Sequence, residues 1–252
     1  MPKATFLNLP DEKRRRIAEL AVDEFARQPY AKVSISRLVA GAGIAKGSFY
    51  QYFENKLDLY RWLLFDYVAA EKLAFLRAHP PPAGSDFFGQ LEHILLFAMR
   101  FGLAHPRLSR VAAAVWHHDP ADQGLAAVTE ELDQLRRANL RAILQQGVES
   151  GQVRPDIDLD LAADLVAAAA GPGLDTALRR MLGVDLIELC GRPELGHRFP
   201  GAKQRKLVAG VLSILRRGLQ QPGTQPTDSE ATIDLDTVPF LQRARPTGGD
   251  SP

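Results

Sequence analysis

The stretch that decides the fold is SISRLVAGAGIAKGSFYQYFENKLDL, which occupies residues Ser34–Leu59. Ser34 suits a helix N-cap and Gly41–Gly43 suits a helix end, so the stretch predicts a short helix between them. After the turn Ala42–Ile44, a second short helix is predicted over residues 45–53. Two short helices joined by a tight glycine-containing turn form the unit that places one helix in the major groove of DNA.

Outside this stretch, apolar residues recur at spacings of three and four, which is typical of amphipathic helices, and no run alternates as a strand would. Gly171–Gly173 is expected to interrupt the helix that contains it. Residues 220–252 are rich in Pro, Gly, Thr, Ser and charge, which predicts a disordered tail. Leu235–Leu241 could be a short docking segment within it, although an unstructured tail is favoured. The further predicted helices cover residues 11–28, 55–78, 87–104, 108–118, 123–150, 159–182 and 202–219.

Composition narrows the class of protein. The 252 residues are 46% hydrophobic and 24% charged, which is ordinary for a globular chain. Residues 1–62 carry 11 Lys and Arg against 7 Asp and Glu, whereas the remainder carries 20 against 23. Positive charge therefore accompanies the helix pair, as phosphate binding requires. The single cysteine, Cys190, excludes an internal disulfide, and neither a signal peptide nor a membrane-spanning run is expected.

Residues 38–56, LVAGAGIAKGSFYQYFENK, strongly resemble the DNA-binding segment of TetR-family transcriptional regulators. The shared features are the turn glycine, the glycine of the second helix, the Tyr-x-Tyr-Phe pattern and the lysine that opens the next helix. The resemblance covers residues 11–65. It implies an all-α fold with a three-helix helix-turn-helix domain over residues 1–54. A helical ligand-binding and dimerisation domain over 55–219 and the tail 220–252 would follow.

The resemblance implies that the second helix of the pair meets DNA while Phe49 and Phe53 pack inward. The Gln51 amide suits a base-edge contact, because it can pair with adenine in two places. The tyrosines and lysines are expected to position the protein on phosphates, and Gly47 to allow close approach to the DNA backbone. A plain helical hairpin, with the tyrosines as packing, is the alternative. The predicted DNA-binding residues are Ser34, Ser36, Arg37, Lys46, Gly47, Ser48, Tyr50, Gln51, Tyr52 and Lys56.

The resemblance also implies a mainly apolar effector cavity in the second domain. Phe97, Phe101, Trp116 and His117 are the candidate effector-binding residues, although an aromatic residue in this pattern is more often core than pocket lining. His117, His118 and Asp119 could suggest a metal site. Adjacent helical residues point about 100° apart, however, and the usual i, i+4 histidine pair is absent. We therefore predict no metal and no cofactor.

The dimer interface is expected, by the resemblance, on the last two long helices, where Leu161–Ala170 is alanine-rich. Leu207, Val211, Ile214 and Leu215 form an apolar stripe on the second of them. Core packing within one subunit would give the same pattern.

The predicted function is that of a homodimeric repressor in the cytoplasm, with no membrane partner. It binds double-stranded DNA at a palindromic operator and is released by a small-molecule effector. An enzyme that keeps the helix pair only as a scaffold is disfavoured, because no nucleophile elbow, phosphate-binding loop or metal-ligand spacing is present. A sequence-tolerant architectural DNA binder is the other alternative, and the weak net positive charge argues against it.

Overall fold

A computed structural model of the chain describes residues 2–117 and 122–223, together with 233, 234, 237 and 239. Within these residues all regular structure is helical, apart from an isolated antiparallel bridge between Val153 and Gln220. The prediction of an all-α fold is confirmed.

The N-terminal part holds five α-helices and a 3-10 turn, Tyr30–Lys32, within the described residues. The Asn55 side chain caps the last of them, α5, by accepting a 2.9 Å hydrogen bond from the Asp58 amide. This helix is continuous over residues 56–78 but widens into a π-helical segment at Leu63–Tyr67. The other four are α1 (Ala4–Leu7), α2 (Asp11–Arg27), α3 (Ile35–Ala42) and α4 (Lys46–Tyr52).

The C-terminal part is a bundle of longer helices. Aspartate side chains cap four of these helices, each accepting a hydrogen bond from a first-turn amide: Asp86, Asp122, Asp158 and Asp185. The helices are α6 (Phe87–Ala104), α7 (Pro106–Ala113, continued as a 3-10 turn Ala114–His117), α8 (Gln123–Glu149), α9 (Leu159–Leu182), α10 (Leu186–Gly191), α11 (Pro193–Gly196) and α12 (Gly201–Leu219).

Three local features differ from the sequence prediction. The short helix α1 was not predicted, and neither were α10 and α11, which lie between the last two long helices. The helix α9 is not interrupted at Gly171–Gly173. Instead, residues Ala169–Gly173 form a π-helical turn around Pro172, and such a widened turn keeps the helix going past the proline's missing N–H.

Two apolar cores hold the molecule together. The first joins Ile17, Phe25, Phe49 and Phe53 to α5, and it continues into Val111 of α7. The second lies between α6, α8, α9 and α12. The boundary predicted after residue 54 therefore lies between α4 and α5. Both helices belong to the first core, because side chains of α5 pack there together with those of α2, α3 and α4.

At its few described residues, the segment predicted as a disordered tail contacts the helical bundle. The Ile233 side chain is 5% exposed, and its backbone N–H donates to the Gln90 side chain. The Asp234 amide donates to Gln146 Oε1 at 2.7 Å, and Gln146 Nε2 donates to Thr237 Oγ1 at 2.8 Å. The remaining residues from 224 to the end lie outside the description.

Candidate nucleic-acid interface

The turn between α3 and α4 has the geometry that the sequence predicts. Gly43 ends α3 in the left-handed conformation with φ of 65°, a region that a β-carbon disfavours. The Ile44 amide donates a 3.1 Å hydrogen bond to the carbonyl oxygen of Val39. At the other end of α3, the Ser34 hydroxyl accepts a 3.4 Å hydrogen bond from the Arg37 amide. The predicted N-cap at Ser34 is thereby confirmed.

The outer face of α4 is polar, and no other part of the described chain covers it. Lys46, Tyr50 and Gln51 are exposed, and Tyr50 keeps 45% of its surface accessible. A β-carbon at Gly47 would meet no atom within 4 Å, so this position is open to an external surface. The inward prediction for Phe49 and Phe53 is confirmed, since both are buried. Ser36 and Arg37 are also exposed, while Ser34 and Ser48 are partly exposed.

Tyr52 and Lys56 do not lie as expected for phosphate contacts. Tyr52 is only 7% exposed and its ring packs 5.9 Å from that of Phe6. The Lys56 ammonium donates to the Tyr30 carbonyl at 2.8 Å and lies 4.3 Å from the centre of the Tyr30 ring. Burial lowers the pKa of Lys56, partly opposed by Asp122. Lys56 therefore fixes the turn before α3, a role that its place at a helix start did not reveal.

Arg37 is likewise committed within the chain, although it remains exposed. Its guanidinium contacts the Glu24 carboxylate at 2.8 Å and 2.9 Å and the Lys32 carbonyl at 3.2 Å. Glu24 is 6% exposed and also accepts a 3.1 Å hydrogen bond from the Ser34 amide. Burial alone would raise the pKa of Glu24, but the hydrogen bonds from Arg37 and Ser34 outweigh it and the pKa is lowered. This carboxylate ties α2 to the start of α3.

Because the folded state lowers the pKa of Glu24, its stabilising contribution exists above the unfolded pKa of about 4.3 and is lost as the pH falls through the folded pKa. We expect Glu24→Gln to reduce the free energy of unfolding by about 1–2 kcal/mol at pH 7, since Arg37 is partly solvated. Urea unfolding followed by circular dichroism measures the free energy of unfolding of both proteins. The difference between the unmodified protein and the variant should stay constant from pH 7 to about 5 and should become smaller below about 4. A difference that grows on acidification would contradict this assignment.

The N-terminal arm, residues 3–9, supports α4 in a way the sequence analysis missed. Phe6 is fully buried, with its ring 4.7 Å from Phe53 and 4.8 Å from Trp62. Lys3 Nζ donates to the Tyr50 carbonyl at 2.8 Å, and the Thr5 hydroxyl donates to the Gln51 carbonyl. The arm thus holds the last turn of α4, and its lysine adds positive charge where a helix C-terminus favours it. Phe6 is the one aromatic residue of the arm, and this was the sequence feature that could have indicated the contact.

Comparison with known proteins assigns this architecture. A family model described as "Bacterial regulatory proteins, tetR family" matches residues 17–62, and one described as "Tetracyclin repressor-like, C-terminal domain" matches residues 88–171. A solved TetR-family regulator from Chloroflexus aurantiacus J-10-FL is 34% identical with a TM-score of 0.59, covering 87% of this chain and 99% of that one. The chain belongs to the TetR family.

Two further proteins are similar to this chain, one in sequence and one in fold. The transcriptional repressor SCO4008 of Streptomyces coelicolor is 30% identical over 175 residues, which is 69% of this chain and 84% of that protein. FadR of Bacillus subtilis, solved in complex with stearoyl-CoA, is 18% identical with a TM-score of 0.56, covering 84% of this chain and 98% of that one. The TetR domain match continues to residue 62, into the α5 helix that completes the first core.

The chain departs from the TetR pattern at Ala45, where the family usually has Ser or Thr. Ala45 has the extended backbone of an N-cap, with φ of −67° and ψ of 147°, but offers no side-chain acceptor to α4. We expect Ala45→Ser to raise the free energy of unfolding by about 1 kcal/mol, because the new hydroxyl can accept a hydrogen bond from a first-turn amide of α4. Thermal unfolding measures this, with Ala31→Ser, an exposed position in the 3-10 turn Tyr30–Lys32, as the control. An unchanged or lowered midpoint would show that the amide already has a partner.

In the C-terminal bundle, two of the four predicted effector residues, Phe97 and Phe101, lie next to each other on α6. Phe97 is partly buried and Phe101 is 2% exposed, and their rings stack at 5.8 Å. Phe75 of α5 contacts both rings at 5.7 Å. Trp116 lies instead at a surface, 49% exposed, with the Arg136 guanidinium 5.8 Å from its ring.

The proposed metal-binding alternative gains no support from the described residues, which contain no group of three potential ligands. The backbone of His117 ends a 3-10 turn. The His117 side chain, together with His118 and Asp119, lies outside the described residues.

The regulatory helices touch the DNA-binding helices directly. The Tyr60 hydroxyl, fully buried on α5, donates to the Val111 carbonyl of α7 at 2.7 Å. Arg107 of α7 forms an ion pair with Asp23 of α2. A cleft of about 220 Å³ lies beside these contacts, lined from α2 by Glu19 and Val22 and from the regulatory half by residues 104–108. A shift of α7 would therefore act on the helix-turn-helix core.

Proposed function

We propose that this TetR-family regulator is a sequence-specific repressor that binds a palindromic operator as a homodimer and is released by a small-molecule effector. The exposed polar face of α4 is the observation that carries the proposal: Lys46, Tyr50 and Gln51 stand free around the open Gly47. A face of this chemistry on the second helix of a helix-turn-helix suits the major groove. The Streptomyces coelicolor relative is named a transcriptional repressor, which favours repression.

The proposed division of labour follows the chain. Residues 1–54 supply the DNA-binding domain with α5 as its supporting wall, and residues 55–219 bind the effector and a second copy. We place the protein in the cytoplasm, where its DNA target is. Tyr52, Lys56 and Arg37 are proposed to act by positioning the helix pair, because their polar or aromatic groups are engaged within the chain.

The proposed dimer surface lies on the outer face of α9. Leu161 and Leu165, one turn apart, are 58% and 57% exposed, and Ile214 on α12 is 75% exposed. Apolar side chains so exposed on long helices are typical of an interface that a partner covers. By length and composition α9 could also cross a membrane, and 33% of its most apolar 18-residue segment is buried inside the protein. Its ion pairs from Asp160 and Asp164 to α8 favour the dimer instead.

The proposed effector response uses the contact between the two halves. The same fold holds stearoyl-CoA in FadR of Bacillus subtilis, which supports a ligand site within the helical bundle. A ligand releases DNA only if it favours the conformation with the wrong spacing of recognition helices, since equal affinity for both states shifts nothing.

Selection of duplexes from a random pool by the purified protein, at near-physiological salt, tests this function. Enrichment of a palindrome whose half-sites lie about one helical turn apart is expected. Salt-sensitive binding to every duplex, without enrichment, would favour the architectural alternative instead.

Two substitutions on α4 separate base recognition from phosphate contact. We expect Gln51→Ala to relax selectivity at one base of each half-site by about 1–3 kcal/mol per site. Lys46→Ala should weaken binding to every DNA sequence and lower the slope of the salt dependence by about 1 per subunit. Lys56→Met is the comparison variant, since its ammonium is bound to carbonyl groups and should leave the salt slope unchanged. Fluorescence anisotropy over a salt series measures all three. Identical behaviour of the Gln51 and Lys46 variants would refute the division.

A further inference from the structure

The C-terminal segment meets the regulatory bundle a second time after α12 ends. The Gln221 amide, just beyond α12, donates to the Gln152 carbonyl at 3.1 Å. Further along the chain, Ile233 is 5% exposed and is part of the second core. We call Ile233, Asp234 and Thr237 the C-terminal latch, because each of them contacts α6 or α8.

Two glutamines on different helices hold the latch. Gln146 of α8 accepts a 2.7 Å hydrogen bond from the Asp234 amide and donates a 2.8 Å hydrogen bond to the Thr237 hydroxyl. Gln90 of α6 accepts a hydrogen bond from the Ile233 amide. A glutamine side chain carries both a donor and an acceptor, so it can bind backbone groups as another peptide would. The latch is therefore bound as a docked peptide is, by backbone hydrogen bonds and one apolar side chain.

Gln90 also holds the connection between α5 and α6. Its Nε2 donates to the Ser85 carbonyl at 3.1 Å, while its Oε1 accepts from the latch. Gln90 is 5% exposed, and a buried amide that loses a partner is left with an unsatisfied polar atom. Gln90 and residues 80–85 line a hollow of about 370 Å³, which leaves the connection room to move. One buried amide thus joins the latch to the connection.

The contacts of the latch are few compared with those that hold the bundle. Docking sets the burial of one isoleucine side chain and a few hydrogen bonds against the conformational entropy that the segment loses. These opposing contributions are of similar size, so a small net free energy holds the latch in place. The second core joins α6 to α8 through many further apolar side chains, among them Phe87, Leu91 and Leu144. The latch can therefore open locally while the bundle stays folded.

We propose that the C-terminal latch is releasable, that it docks across α6 and α8, and that it holds the connection between α5 and α6 through Gln90. The interaction surface is the edge of the bundle where Gln90 and Gln146 bind the same segment, and its occupant is the chain's own C-terminal segment. This inference goes beyond the proposed repressor function and depends on neither DNA nor an effector.

The latch acts on the helix that supports the DNA-binding part. The connection begins where α5 ends, and the other end of α5 carries Leu59 and Tyr60, which are fully buried in the first core. While the latch is docked, Gln90 ties the connection to it and so to α8. Release of the latch removes this tie, so the end of α5 moves more freely relative to α6. The latch thus restrains α5 from the C-terminal end of the chain.

Hydrogen–deuterium exchange of the full-length protein without DNA, resolved to single amides by mass spectrometry, tests the latch. The amides of Ile233, Asp234 and Thr237 each donate a hydrogen bond, the last of them to the Asp234 carbonyl at 3.2 Å. We expect all three to exchange at least about tenfold more slowly than in an unstructured chain. Ile233→Asp should remove this protection, because an unpaired carboxylate is costly to bury. Ile233→Val keeps an apolar β-branched side chain, so it is the matched control and should retain most of the protection.

Exchange of the Ser85 amide, which donates to the Pro82 carbonyl at 3.2 Å, tests the coupling to the connection. We expect Ile233→Asp to speed exchange at Ser85 by about threefold or more, because an undocked latch leaves Gln90 without its donor. Gln146→Leu should have the same effect on Ser85. Gln146 binds the latch through Asp234 and Thr237, so its substitution acts on the connection by releasing the latch.

The inference is overturned if the three latch amides exchange at the unstructured rate in the unmodified protein, or if they stay protected in Ile233→Asp. It is also overturned if the latch is released while exchange at Ser85 is unchanged. Amides of α6 and α8, followed in the same experiment, establish that each variant is folded, and Gln146→Leu provides the comparison if Ile233→Asp is not. Because no DNA is present, a negative result leaves operator selection as a separate test of the proposed repressor function.

Discussion

The double substitution Leu161→Glu/Leu165→Glu is expected to make the protein monomeric and to weaken operator binding by at least about a hundredfold. The two leucines are more than half exposed on one face of α9. Glutamates there would have to be desolvated, unpaired, in the interface of two identical chains. A monomer also loses the gain in effective concentration that a dimer obtains by occupying two linked half-sites.

Sedimentation equilibrium and fluorescence anisotropy with the selected palindrome measure the two effects. The matched control is Ala126→Glu/Ala127→Glu, which adds the same charge at exposed positions of α8. A dimer that survives the leucine substitutions would place the interface elsewhere, with Ile214 on α12 as the next candidate. Equal loss of DNA binding in both double variants would show that added negative charge, rather than dimerisation, is responsible.

The second large effect is expected from Phe6→Ala, which should lower the free energy of unfolding of the DNA-binding part by about 3 kcal/mol. Phe6 is fully buried against Phe53 and Trp62, and its removal leaves a cavity beneath α4. The arm would then detach, and Lys3 and Thr5 would no longer donate to the last turn of α4. Operator affinity should fall in parallel.

Leu7→Ala is the matched control, because Leu7 lies in the same short helix but is 43% exposed. Urea unfolding followed by circular dichroism, together with anisotropy on the operator, compares the two variants. If Phe6→Ala and Leu7→Ala cost the same, the arm contributes no packing. If Phe6→Ala lowers stability but leaves operator affinity intact, α4 keeps its position without the arm.

The local elements of the interface were predictable from neighbouring residues. The Ser34 cap and the left-handed Gly43 depend on backbone geometry within a few positions, and the structure shows both. Phe49 and Phe53 are buried, as the resemblance implied. Lys46, Tyr50 and Gln51 are exposed, whereas Tyr52, expected on the same face, is buried.

The contacts of the charged side chains could not be predicted from neighbouring residues. Arg37 and Lys56 each carry a charge at a position typical of phosphate contact, yet both are bound within the chain. Their partners, Glu24 and the carbonyl of Tyr30, lie 13 and 26 positions away in sequence. Residue type and spacing give no information about such pairs, because they depend on how three helices cross.

By itself, then, the sequence determined the all-α class, the position of the helix pair and the face of α4 that is open to a partner, since these depend on local backbone preference and helical period. The tertiary structure decided that α5 closes the first core and that Phe6 supports α4. These features arise from contacts between segments far apart in the chain, where burial and hydrogen-bond satisfaction outweigh local propensity.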